Sequence, residues 1–370
     1  MVHWVLGPVN VVSVGFGAIV LVSVVTSHYF EQKLNEWRAQ MSQSPKTVTI
    51  FGGSGFVGRY IVRRMAKDGW RVLVAVRHPN EAYFVRPYGV VGQVEPIFAN
   101  IRDDASVRSA LVGSDAVVNC VSVLQESGRQ TFEALNGSGA GRVARIAAEE
   151  GVGTFVHLSA LGADLKSDSD SARTKAKGEQ GILAVFPSAM ILRPSVIFGS
   201  EDQFFNRFAD LTKLSPILPI VGGKSSFQPV YVDDVAQAAC LGITNKAAGG
   251  IYELGGPEIN TLSAFIHRML KVIRRRRLVI NLPFFVGSIM GGGLGAIQVL
   301  SLGLFTNAIL TRDQVKQLRK DNVVAEGAKS FTNLDIVPTG VDSVIDEYLY
   351  RYRPYGQYAD LTESAKNLEK

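Results

Sequence analysis

The chain has 370 residues, 46% of them hydrophobic and 19% charged, with 37 glycines and a net charge of +6. That is an ordinary globular balance, long enough for one large α/β domain with a smaller lobe. Two cysteines in apolar runs, Cys120 and Cys240, exclude a disulfide framework and read as core packing, and five histidines without ligand spacing exclude a histidine metal centre. The basic excess permits an acidic partner without naming one, and nothing singles out nucleic acid.

The first thirty residues carry no Asp, Glu, Lys or Arg, and residues 4–25 include thirteen Val, Leu, Ile or Phe. As a helix this stretch would reach about 33 Å, at ~1.5 Å per residue, against a hydrocarbon core of ~30 Å. The thirteen side chains favour insertion by about 4–8 kcal/mol, partly offset by Pro8, Asn10, the serines and the glycines. A signal peptide would want a charged start, and a transit peptide would want arginines. Residues 1–45 are therefore expected to hold a membrane anchor and a linker. Lys33, Arg38 and Lys46 follow it, which puts the globular part on the cytoplasmic or matrix side.

After Pro45 a β-branched run, 47–51, predicts a buried parallel strand. It leads directly into Gly52, Gly53, Ser54, Gly55, Phe56, Val57, Gly58 and Arg59. Gly53, Gly55 and Gly58 fit a dinucleotide fingerprint, with an amphipathic helix over 56–67. One glycine makes the turn and one admits a pyrophosphate. The last lets helix and sheet pack closely, and the helix N-terminus faces the phosphates.

A second strand spans 71–79. An NAD protein should end it with a carboxylate for the ribose 2′-OH, yet Arg77 stands there. A guanidinium pairs with a 2′-phosphate, so the pattern favours NADP(H), with Arg59 assisting. A third strand begins at 94 and ends toward Asp103, expected near the adenine. Strands at 115–123, 154–160 and 189–199 alternate with helices at 130–150 and 171–185. The rhythm predicts a doubly wound parallel sheet. A strand and helix follow over 227–243, with Asp233 or Asp234 expected to cap the helix. A short strand and a helix over 262–273 come next.

GGSGFVG, NIRDD, FVHLSA, SARTKAKGE, LRPSVIFG and FQPVYVDDVA follow, in order, the landmarks of extended or atypical short-chain dehydrogenases. The resemblance implies a Rossmann fold and a Ser-Tyr-Lys set, in which lysine tunes the tyrosine and holds the cofactor ribose. Ser159 matches the serine and Lys175 the lysine, but Ser171 stands in the tyrosine position. An aliphatic hydroxyl is far less acidic than a phenol of pKa about 10 and ends closer to the backbone, so it supplies neither matched pKa nor reach. The resemblance also implies cofactor contacts from Val121, Arg193 and Pro194 beside Ser159 and Lys175. No residue is assigned to catalysis or to a metal; Ser159, Ser171 and Lys175 are remnants.

Four arginines, 274–277, precede a stretch from Leu278 to Thr311 without a charged residue. A basic cluster beside an apolar segment suits contact with anionic lipid; a buried helical hairpin is the alternative. ARTKAKGE, DNVV (321–324) and RYRP (351–354) sharpen the likeness to one branch, the NADPH-binding accessory subunits of respiratory complex I. This resemblance covers about 47–358 and leaves out the N-terminal segment. It implies a tightly held, non-reacting NADPH and docking against other subunits where the hydrophilic and membrane arms meet. The site would then be an energy-transducing inner membrane. The expected domains are a Rossmann domain over 46–255 and a smaller interleaved α/β lobe over 256–370 that borrows parts of 195–230. A membrane-anchored NADP-dependent reductase or epimerase acting on a lipid or quinone-like substrate is the rival reading.

Overall fold

Seven parallel strands form the central sheet: β1 (Thr47–Phe51), β2 (Arg71–Val76), β3 (Val94–Phe98), β4 (Ala116–Asn119), β5 (Thr154–Leu158), β6 (Met190–Pro194) and β11 (Gly250–Leu254). Their spatial order is β11-β6-β5-β4-β1-β2-β3, and every pairing is parallel. The direction of winding reverses between β1 and β4, the crevice where open α/β sheets bind ligands. The computed structural model describes residues 45–289 and 311–358. The expected anchor at 4–25, and the glycine-rich part of the uncharged stretch after Leu278, lie outside the described residues. Among the described residues no helix is long and apolar enough to cross a membrane.

The central strands are buried on both faces, as their Val- and Ile-rich runs require. One face is covered by α1 (Phe56–Lys67) and α6 (Val232–Ile243), with Ile61, Met65, Val235 and Ile243 in the shared core. The other is covered by α2 (Asp104–Leu111), α3 (Ser138–Glu149) and α4 (Asp170–Leu183), packed through Val107, Ile146 and Ile182.

The helix expected over 130–150 opens with one π-helical turn, Glu133–Gly137, before α3. The π-turn sits where α4 comes very close. A Cβ on Gly178 would lie 2.0 Å from the Asn136 carbonyl oxygen, so only glycine admits that approach. Asp233 and Asp234 do not cap α6, correcting the sequence-based expectation: the N-cap is Tyr231, with no side-chain cap. Tertiary partners claim both acids. Asp233 takes two 2.7 Å hydrogen bonds from Arg64, and Asp234 accepts the Thr339 N–H at 2.6 Å.

The second lobe has its own core, built on Phe205, Leu218, Phe265, Met269, Ile345 and Tyr348. It gathers α5 (Phe205–Leu214), α7 (Leu262–Val272) and α9 (Ile345–Leu349). Three two-stranded pairs join it: β7 (Ile197–Phe198) with β10 (Val230–Tyr231), β9 (Ser226–Phe227) with β12 (Asn260–Thr261), and β8 (Ile217–Val221) with β13 (Leu278–Leu282). The chain after 256 does not stay in this lobe. Phe331, Leu334 and Ile336 return to the core beneath the sheet, and α8 (Arg312–Gln317) docks on α4. There the Asp313 carboxylate accepts the Asp170 N–H at 2.7 Å and the Ser169 hydroxyl at 2.8 Å.

Candidate functional site: a dinucleotide cleft

A cleft of about 280 Å³ opens beyond the carboxyl ends of β1 to β4. Its floor is the turn from β1 into α1. Gly52 holds φ at +74°, a left-handed value, and its carbonyl accepts the Gly55 N–H at 2.9 Å. A Cβ on Gly58 would stand 2.4 Å from the Gly52 oxygen and 2.7 Å from the Gly53 Cα. The helix can therefore start this close to the strand only because residue 58 lacks a side chain. Gly55 is the N-cap, no side chain caps the helix, and no acid sits in its first turn. The N–H groups of Phe56, Val57 and Gly58 find no acceptor among the described residues. Exposed donors at the positive end of a helix fit a pyrophosphate.

Of the residues expected from the sequence, Gly52, Ser54, Gly55, Arg77 and Val121 line the cleft. Gly53, Phe56, Val57 and Gly58 build its floor and the helix behind it. Arg59 is turned elsewhere: its guanidinium lies 4.9 Å over the Phe84 ring and 3.3 Å from Glu201. Asp103 is the N-cap of α2 and accepts the Ser106 N–H at 3.1 Å, so its carboxylate serves the helix. The three residues before it, Asn100, Ile101 and Arg102, line the cleft instead, as do His78 and Ser122. Sequence reasoning missed them, although each lies two to four residues past a strand end, where such clefts are made. Cys120, expected in the core, also borders the cleft and is half-buried; burial pushes its thiol up to about 12, which leaves it unreactive.

Ser159, Lys175, Arg193 and Pro194, on the neighbouring strands β5 and β6 and on α4, are not among the residues that line this cleft. Ser159, at the end of β5, donates its hydroxyl hydrogen to the carboxylate of Glu179, on α4. Arg193, on β6, clamps that carboxylate with hydrogen bonds of 3.0 and 2.5 Å and lies 3.6 Å from Glu253. The Glu179 side chain is 3% exposed. The serine that would orient a substrate is thus a member of a buried ion-pair network. Pro194 follows Arg193 in the strand, and its carbonyl accepts the Leu161 N–H at 3.0 Å. Glu179 was legible only as the last letter of ARTKAKGE. Its place one helical turn after Lys175 was the available signal.

Lys175 has no hydrogen-bond or ion-pair partner among the described residues. Burial pushes its ammonium down to about 8, against an opposing pull from Glu179. Burial, and secondarily the Lys175 charge, push His157 down to about 3, so that imidazole is neutral. Asn119 Nδ2, Asn136 Nδ2 and His157 Nδ1 are buried without partners, and Asn119 and His157 are cross-strand neighbours. Ser171 is buried on the first turn of α4. Tyr231 offers no substitute phenol. Burial and then the charge of Asp233 raise its pKa, making it a poorer acid than free tyrosine.

Residues 48–255 match the family described as the NAD dependent epimerase/dehydratase family. An Arabidopsis thaliana protein named NADH dehydrogenase (ubiquinone) 1 alpha subcomplex subunit 9, mitochondrial, is 33% identical over 331 residues, covering 88% of this chain and 82% of the relative. The Mus musculus protein of that name is 32% identical, covering 88% and 85%. Among solved structures, an Escherichia coli NADPH-dependent quinone oxidoreductase complexed with NADPH superposes with a TM-score of 0.63 at 20% identity, over 82% of this chain and 98% of the other. The last likeness speaks to the fold alone; the first two reach further, and the chain belongs to the NAD dependent epimerase/dehydratase family and, within it, to the branch of these mitochondrial NADH dehydrogenase (ubiquinone) subunits.

Proposed function

We propose that this chain is an accessory subunit of respiratory complex I that holds NADPH as a fixed structural group and turns nothing over. One contrast carries the reading. The cradle for a dinucleotide is built and uncapped, while the Ser159 hydroxyl is committed to Glu179 and Ser171 replaces the phenol.

The α1 N–H groups and Ser54 would receive the pyrophosphate, and Lys175 the inner ribose. Arg77, with His78 and Arg102 beside it, would meet a 2′-phosphate. The last assignment is what favours NADPH within a family that takes either dinucleotide. When bound, the group supplies hydride chemistry and, more to the point here, binding energy. A ligand held only by the native state adds about 4 kcal/mol at a thousandfold excess over Kd. The family membership supports complex I subunits as partners and the energy-transducing inner membrane as the site, with the globular part on the matrix or cytoplasmic side. Docking where the hydrophilic and membrane arms meet, with lipid contact, completes the proposal.

Gentle detergent extraction followed by native-gel mass spectrometry tests the assembly, and acid release of nucleotide from the same band tests the cofactor. Co-migration with a quinone-reducing assembly, carrying about one NADP(H) per chain, is expected. A chain that migrates alone and oxidises added NADPH steadily with quinones or ketones would establish the reductase reading instead.

A further inference from the structure

A two-stranded ribbon that covers a core on one side should turn polar side chains to water on the other. The β8–β13 ribbon does not. Pairing sets Ile217 beside Leu278 and Pro219 beside Ile280, so these four share one face, opposite Leu218 and Ile220 in the lobe core. All four are exposed, Leu278 by 62%, Ile217 by 43% and Ile280 by 38%. Leu214 and Phe285, flanking the ribbon, are 86% and 64% exposed. None of the six strand positions on this face carries a polar side chain; the third pair, Val221 with Leu282, is less exposed, and Val221 is buried.

The sequence stretches that supply the ribbon are basic. No Asp or Glu occurs in 211–232 or in 259–312, the stretches that supply its two strands, whereas 259–312 holds seven Arg or Lys. Within the arginine run the chain alternates. Arg275 and Arg277 turn inward, donating to the Tyr352 carbonyl at 2.8 Å and the Thr212 carbonyl at 2.9 Å. Arg276 is exposed and shares the outward parity of Leu278 and Ile280. Aliphatic side chains and a guanidinium thus lie along one outward line.

We propose that this ribbon face docks on the surface of an anionic lipid bilayer, with Ile217, Leu278, Ile280 and Phe285 at acyl-chain depth and Arg276 among the headgroup phosphates. Aliphatic side chains without a fixed polar partner suit a fluid apolar medium, and an exposed guanidinium suits phosphate. A second copy of this chain is disfavoured, because pairing two such faces would set Arg276 against its like and find no acid. The inference rests on the lipid contact of the proposed function and gives it a surface.

The full-length chain, with its nucleotide, is given a fluorescent reporter at Ile280→Cys, or at Leu278→Cys if the first variant melts early. Val91→Cys, exposed on the Rossmann side, serves as the control, and the unsubstituted chain gives the background labelling. Vesicles are an equal mixture of phosphatidylglycerol and phosphatidylcholine, or phosphatidylcholine alone. On the mixed vesicles the emission of the 280 reporter is expected to shift to the blue and to be quenched by spin-labelled acyl chains, with the 91 reporter unmoved. Arg276→Glu should raise the lipid needed for half the shift about 30-fold, from roughly 1 kcal/mol per unit of charge over two units. A 280 reporter that stays in water while the chain is vesicle-bound overturns the proposal, since the chain then holds on elsewhere. So does a shift that ignores lipid charge, or one that appears only when a protein partner is added. Nucleotide content and co-migration with the quinone-reducing assembly are read separately, so their failure is distinguishable from failure here.

Discussion

The glycine turn and the serine cluster are built on the same sheet and treat polar groups in opposite ways. At the glycine turn, donors are left open: three helix N–H groups without acceptors, no cap and no acid. At the serine end, the polar groups satisfy one another: Ser159 on Glu179, Glu179 on Arg193, Arg193 toward Glu253. Open donors are costly to bury and wait for an anion. A satisfied network costs little more on burial and has nothing left to offer a substrate. In the proposed reading the contrast separates holding a nucleotide from reacting it, and substitutions at each region test it.

The largest effect is expected from breaking the closed end. Glu179→Leu leaves the part-buried Arg193 guanidinium with only Glu253, 3.6 Å away, and should cost about 3 kcal/mol, read as a drop in denaturation midpoint with and without added NADPH. A variant as stable as the parent would show that the network is not what fills this end. Gly58→Ala attacks the open end. Its Cβ would meet backbone at 2.4 Å, for a cost of about 1–3 kcal/mol, and it should strip the nucleotide from the purified chain. The two variants part company in that assay, because Glu179→Leu should keep its nucleotide.

Arg77→Glu should leave the apo fold unchanged and weaken NADPH about 10–100-fold, for a charged hydrogen bond of about 1.5–3 kcal/mol, with NADH little affected. Equal losses for both nucleotides in calorimetric titration would remove Arg77 from 2′-phosphate recognition.

Lys175, one helical turn before Glu179, makes the closed end pH-dependent. Its proton leaves near 8 in the fold and near 10.5 in the unfolded chain. Between those values the unfolded chain holds one more proton, so stability from this group rises with pH, and below 8 the fold bears the whole cost of a buried ammonium. Lys175→Met should flatten that rise in nucleotide-free protein; an unchanged slope across pH 8 to 10.5 would mean the lysine is solvated. The smallest effect is expected from Ser171→Tyr. Position 171 is buried and Ser159 is already engaged, so the phenol alone should restore no turnover with NADPH and a small ketone. Any sustained oxidation would show that tyrosine was the only missing part.

Periodicity and turn chemistry determined much of this protein by themselves. Alternating β-branched runs and amphipathic helices specified a doubly wound parallel sheet, and the glycine spacing placed the cradle, because these signals are local. The gap at Ser171 came instead from the resemblance to short-chain dehydrogenases, which expects a tyrosine four places before Lys175. Other things only the tertiary structure decided. Asp103 was expected near the adenine and Asp233 or Asp234 as a helix cap, yet Asp103 caps a helix while the others bind Arg64 and Thr339. Arg59 was expected to assist Arg77 at a phosphate, but Glu201 and Phe84 claim it. Ser159 lost its free hydroxyl to a residue twenty positions away in sequence. A side chain's partner depends on which distant segment folds against it, and composition and spacing carry no record of that choice.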